Sequence, residues 1–156
     1  MRKVTIVVAM VVAANSGVAG TTPKGCYEKS WTKAELKKLP LQKVTAIRLE
    51  ANVSKQPETK PQAYGRLMAR FRETGDLWLS TSYECNDTGA GYACASHCDG
   101  TIFVLSPGNT GMQITPPNGV GVFSEECGET SATLQMNADH LPFALARRGS
   151  KACPTR

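Results

Sequence analysis

Between residues 44 and 53 the side chains alternate. Thr45, Ile47, Leu49, Ala51 and Val53 fall on one side, and Arg48, Glu50 and Asn52 on the other. A period of two predicts a strand with one buried and one wet face. Residues 64–73 repeat the pattern, with Leu67, Ala69 and Phe71 facing in and Arg66, Arg70 and Arg72 facing out. Thr74-Gly75-Asp76 then leads into residues 77–85, which predicts a hairpin. Short strands follow over 101–106, 112–115, 119–124, 132–136 and 142–147, punctuated by Asp99-Gly100, Pro107-Gly108-Asn109 and Pro116-Pro117-Asn118-Gly119. The Asn-Gly of the last cluster predicts that 112–115 and 119–124 pair with each other. Pro142 belongs at a strand start or an edge, because it has no N–H for a ladder. Residues 54–62, with Pro57 and Pro61, read as a loop. Residues 86–96, rich in Gly, Ala and Asn, read as a long loop held by a disulfide.

Only residues 30–39 carry a helical signature. Thr32 with Glu35 fits a capping box, Pro40 stops the run, and Leu36 and Leu39 share the face expected to be buried. Lys33, Lys37 and Lys38 stay in water. The expected fold is therefore all-β and mainly antiparallel, with about eight strands and one short N-terminal helix. Such meanders close into a small barrel or fold as a two-sheet sandwich, and consecutive hairpins favour the barrel.

The N-terminus adds a compartment. Arg2 and Lys3 precede an uncharged, mostly apolar run over residues 4–14, and residues 15–19 place Gly17 and Ala19 at −3 and −1 of a cleavage site. Those three parts predict a signal peptide over residues 1–19 and a single disulfide-bonded β domain over 20–156. The apolar run is shorter than the roughly 20 residues of a spanning helix, so no stable membrane anchor is expected after cleavage. A lipid anchor is disfavoured by Pro23-Lys24-Gly25 ahead of Cys26. Cleavage removes two of 18 basic residues, leaving 16 against 13 acids and lowering the formal charge from +5 to +3. That charge is too mild and too scattered to predict nucleic-acid binding.

All six cysteines follow the export segment: Cys26, Cys85, Cys94, Cys98, Cys127 and Cys153. An even count in an exported chain predicts three disulfides. Among the fifteen possible pairings the favoured one is Cys26–Cys153, Cys85–Cys94 and Cys98–Cys127. It would tie the chain ends, close a loop and link neighbouring strands.

Candidate chemistry concentrates in Cys94-Ala95-Ser96-His97-Cys98-Asp99. A zinc site built on it, with Cys85 or Cys127 as a further ligand, competes with disulfide formation, and an oxidising compartment favours the disulfide. The expectation is no metal, no cofactor and no thiolate nucleophile. His140 follows Asp139, but neighbours on a strand point to opposite faces, and no Gly-x-Ser-x-Gly elbow supplies a nucleophile. Glu125, Glu126, Glu129 and Asp139 are the acids from which a glycosidase carboxylate pair could be drawn, but those clustered beside Gly128 read as a solvated turn. Arg66, Arg70 and Arg72, and separately Arg147, Arg148 and Lys151, form basic clusters open to an anionic partner or merely to water.

Cys26-Tyr27-Glu28, Pro40-Leu41-Gln42-Lys43-Val44 with Ile47-Arg48-Leu49, the Cys94-x3-Cys98-Asp99-Gly100 turn, and Phe143-Ala144-Leu145 before Cys153 carry a resemblance. The chain resembles a group of small secreted, functionally uncharacterised alphaproteobacterial cysteine-containing proteins. The resemblance implies a bacterial source, an exported compartment and this fold, and no mechanism. Periplasmic lysozyme inhibitors share the broad plan of a small disulfide-bonded barrel, though their inhibitory loop motif has no counterpart here.

The leading expectation is a periplasmic or secreted non-enzymatic protein that binds an envelope protein or a small ligand through its loops. Asn86, Asp87, Tyr92, His97 and Asp99 are its candidate contact residues. One alternative is an envelope hydrolase or metal-dependent enzyme using His97, Asp99 and the acids of 125–129, which requires those groups to converge in one pocket. The other is a structural cell-envelope component.

Overall fold

The computed structural model describes residues 23–54, 62–129, 131–136, 142–149 and 153. The predicted export segment (residues 1–19), most of the predicted 54–62 loop, Asp139, His140 and Lys151 lie outside the described residues. Ten strands and one helix follow in order: β1 (Gly25–Ser30), α1 (Lys33–Lys38), β2 (Val44–Ser54), β3 (Gln62–Phe71), β4 (Leu79–Asp87), β5 (Tyr92–Ser96), β6 (Ile102–Pro107), β7 (Gly111–Thr115), β8 (Val120–Phe123), β9 (Ser131–Leu134) and β10 (Phe143–Arg148). Among the described residues no helix is long and apolar enough to cross a membrane.

Eight strands close a ring. Antiparallel pairing runs β3-β2-β1-β10-β7-β6-β5-β4, and β4 returns to β3. The fold is thus the barrel rather than the sandwich. Every consecutive pair from β1 to β7 is a hairpin neighbour, and β10 fills the gap between β7 and β1. Closure removes the unpaired edges that an open sheet of this size would expose.

The alternation read from the sequence decides what fills the ring. Tyr27, Leu49, Leu67 and Thr81 lie in one cross-strand row and are buried, as are Ile47 and Ala69 in the next. Tyr83, Phe103, Leu105 and Ile114 fill the opposite wall, with the Tyr83 and Phe103 rings edge to face at 5.4 Å. Each buried Leu, Ile or Phe among them contributes roughly 1.5–3 kcal/mol by leaving water. Tyr83 carries a polar group into the core: its hydroxyl donates to the Glu50 carbonyl at 2.9 Å, and burial, with Tyr27 and Glu50 nearby, pushes its pKa far up. These side chains form one packed cluster inside the ring.

Register sorts the loops between two ends. The upper end holds Gly25, Ala51, the Asp87–Tyr92 turn and the end of β10. The lower end holds Ser30, Val44, Phe71, Leu79 and the β5–β6 turn. The disulfides are Cys26–Cys153, Cys85–Cys94 and Cys98–Cys127, the favoured pairing, and no described cysteine is free. Three disulfides fit an oxidising compartment.

Several local expectations need correction. Residues 86–96 form most of a hairpin, with only Thr88 to Gly91 as its turn. Cys85 and Cys94 face each other across β4 and β5 and are both buried, so the disulfide that closes this segment is a core rung of a hairpin and not a tie across an irregular loop. The Cys98–Cys127 bridge joins two turns instead of two strands. The β7 and β8 segments do not pair. β7 lies between β6 and β10, while β8 pairs with β9 and touches β4 at Ser80↔Phe123. Gly119 explains the turn: at φ 83° it sends the chain away from β7, and a Cβ there would crowd Thr133. The helix has its capping box, yet no residue of it is fully buried, Leu36 included. Strand β1 had no sequence signal, and Ser30, expected to open the helix, ends it.

Candidate functional site

The sequence-predicted contact residues separate. Asn86 is exposed on the outer wall near the upper end. Asp87 sits at the upper rim, accepting from the Gly89 N–H at 2.7 Å, which shapes the β4–β5 turn. Tyr92, expected at the surface, is a core residue at 4% exposure. His97 and Asp99 are at the lower end in the β5–β6 turn. His97 is exposed, with its Nε2 3.8 Å from Glu84 on the outer wall.

Asp99 has a structural task. Its carboxylate accepts from the Thr101 hydroxyl at 2.6 Å, the Thr101 N–H at 3.0 Å and the Gly121 N–H of β8 at 2.9 Å. Partial burial pushes its pKa up, but the bonds from Thr101, Ser96 and Gly121 together outweigh that and hold it below the ordinary carboxylate range. A Cβ at Gly121 would collide with this carboxylate, so glycine lets β8 come close. Cys98, next in sequence, bridges to Cys127 beyond β8. Together they form a latch. Among the described residues no group of three His, Cys, Asp or Glu side chains is arranged to hold a metal.

In the strand cluster Arg70 and Arg72 have structural partners, as does the neighbouring Arg48. Arg48 and Arg70 both lie over the Trp78 ring on the outer wall, their guanidinium carbons 4.6 and 4.7 Å from its centre. Arg48 also bridges Glu28 at 2.9 Å. Arg72 donates to the carbonyls of Leu36 at 2.6 Å, Leu39 at 3.0 Å and Gln42 at 2.7 Å, which ties the helix exit to β3. Arg147 is exposed near the upper end, with Nη2 at 3.4 Å from the Lys24 carbonyl.

What the lower end does hold is a groove of about 500 Å³. Its floor is Val44 and Phe71, both nearly inaccessible, and its near wall is Leu41, which is 59% exposed. Lys43 and Glu73 stand at its rim as opposite charges. The far wall is Ser131, Ala132 and Thr133 of β9 with Gln135 beyond. Successive strand residues point to opposite faces, so a groove lined by three in a row meets the strand along its edge. β9 gives its other edge to β8, through Val120↔Leu134 to Phe123↔Ser131.

Comparisons with known proteins add nothing: no family model, no curated protein and no solved structure matches the chain.

The groove has two marks of a contact surface. A large apolar side chain, Leu41, is 59% exposed beside a buried apolar floor, and charges of both signs stand at the rim. His97 and Asp99 are not among its lining residues, nor are Glu125, Glu126 and Glu129. The groove was not legible in the sequence, because it joins the helix exit, the end of β3 and β9, which are far apart along the chain. Leu41 was the available signal, an apolar residue directly after a helix-stopping proline.

Proposed function

We propose that this is an exported, non-enzymatic binding protein of a bacterial periplasm or the extracellular space, and that it takes its partner in the lower-end groove. The observation that carries the reading is the contrast between a packed lumen and an open groove with an exposed Leu41 over an apolar floor. The barrel supports it by holding the floor and near wall in place, while the Cys98–Cys127 bridge and the Asp99 bond to Gly121 fasten the hairpin that carries the far wall. The export part rests on the N-terminal pattern of residues 1–19 and on three disulfides.

The test uses the oxidised chain from residue 20, probed on an array of N-acetylated, C-amidated nonapeptides. Leu41→Glu is the matched variant. Leu41 is mostly exposed, so the change places a charge in the groove without entering the core. The expected result is a set of peptides bound by the parent and weakened about tenfold or more by the variant. Absence of binding, or binding indifferent to Leu41→Glu, overturns the groove reading. Mass spectrometry of the protein from its native compartment tests export separately: a mass starting near Gly20 and a gain of six hydrogens on reduction is expected, and an uncleaved, reduced chain would refute it.

A further inference from the structure

We infer that the Cys98–Cys127 bridge is a redox-opened fastener. A dithiol reductant cleaves it ahead of the other two disulfides, and the β8–β9 hairpin then undocks from a ring that stays folded. The inference is independent of the groove reading. Three features carry it.

The first is access. Cys26, Cys85, Cys94 and Cys153 are each at most 6% exposed, whereas Cys127 is exposed and Cys98 half-buried. Exchange requires a thiolate to reach a sulfur, so burial shields two bridges and leaves the third open.

The second is the backbone at Cys127. The Gly128 N–H donates to the Glu125 carbonyl at 3.0 Å, closing a four-residue turn in which Cys127 is third. Its φ is 56°, and among the described residues it is the one non-glycine residue at positive φ. That turn position favours Gly or Asn, and a cysteine there is held against its preference. The bond to Cys98 restrains it. Cleavage frees the turn to relax, which favours the reduced form of this disulfide.

The third is what the bridge fastens. Among the described residues the hairpin joins the ring's ladders only at Ser80↔Phe123, with the Asp99 bond to Gly121 as a polar tie. Cys85 and Cys94 are already register partners, and Cys26 lies on β1, which is paired on both sides. Only the third bridge secures an element that the ladders leave loose.

The reductant is a protein or small molecule carrying two neighbouring thiols. One of its thiolates attacks Cys127 Sγ, and the Sγ–Sγ pair leaves on Cys98 Sγ, which takes a proton from water. The second thiol loses its proton and attacks its neighbour in the mixed disulfide, and the pair leaves on Cys127 Sγ, which is protonated in turn. The chain gains two electrons and two protons, and the reductant becomes a disulfide.

The experiment treats the oxidised parent chain from residue 20 with dithiothreitol, traps free thiols with N-ethylmaleimide and maps the labelled cysteines. Cys98 and Cys127 are expected to label at least about tenfold faster than the other four. In the species that has gained two hydrogens, hydrogen exchange over residues 120–123 and 131–134 should quicken about tenfold while residues 44–54 and 62–71 keep their protection. Reoxidation should restore the slow exchange. Earlier or simultaneous opening of a buried bridge overturns the proposal. So does unchanged exchange in the hairpin once Cys98–Cys127 is open, or loss of protection in β2 and β3 along with it.

Discussion

The β2–β3 wall and the β8–β9 hairpin are both antiparallel pairs, but they are held in different ways. β2 and β3 share an unbroken wall from Val44↔Phe71 to Ser54↔Gln62, apart from a bulge near Val44, and each has a second neighbour in the ring. The hairpin reaches the ring through one register pair, Ser80↔Phe123, the Cys98–Cys127 bridge and the Asp99 bond to Gly121. Its apolar contribution is Val120, Val122 and Leu134, placed over the open lower end. The wall is cooperative with the whole sheet. The hairpin is a plug fastened at points, and an element so fastened can open without the barrel unfolding.

The largest expected effect separates the two regions directly. Leu67→Ala deletes a fully buried side chain from the wall and is expected to lower global stability by about 2–5 kcal/mol in urea denaturation. Leu134→Ala removes the same chemistry from the plug. It is expected to raise hydrogen exchange over residues 120–134 while moving the global transition much less. Equal losses in both variants would show that hairpin and barrel unfold as one.

Next in size is the bridge. Changing Cys98 and Cys127 together to Ala should weaken docking of the hairpin by about 2–4 kcal/mol, seen as faster exchange in β8 and β9 with β2 and β3 unaffected. The smallest effect belongs to Asp99→Asn, about 1 kcal/mol, since the group is largely exposed. Its sign with pH is fixed. The folded pKa lies below the unfolded one, so the contribution is fully present above the unfolded value of about 4 and is lost as pH falls through the folded value. The protection factor of the Gly121 amide, corrected for the intrinsic exchange rate at each pH, should therefore fall on acidification in the parent and respond less in Asp99→Asn.

How much was legible follows the same division. The wall could be read because each strand has one face in the core: Leu67, Ala69 and Phe71 face in and Arg66, Arg70 and Arg72 face out. Its arginines were read as a stripe, since nothing local reveals that Arg70 stacks on Trp78 or that Arg72 serves the helix exit. β1 escaped because Cys26 and Tyr27 are both buried on opposite faces, one in a disulfide and one in the lumen, which erases the alternation. The β4–β5 hairpin escaped because Asn, Gly and Ala have poor strand propensity, and pairing through Cys85–Cys94 and β6 overrides it. The groove depends on where the plug sits, and that depends on contacts between distant segments. Local pattern carries no information about them.

The Cys26–Cys153 bond closes a loop of 127 residues in sequence separation, and the other two disulfides lie wholly inside it. Covalently, the chain from Cys26 to Cys153 is a ring bearing two smaller rings. One backbone cut anywhere between those cysteines opens the ring but releases no fragment, so every piece stays attached beside its ladder partners. In a compartment containing proteases this converts a severing event into a nick, visible as a gain of one water in mass and as two fragments only after reduction.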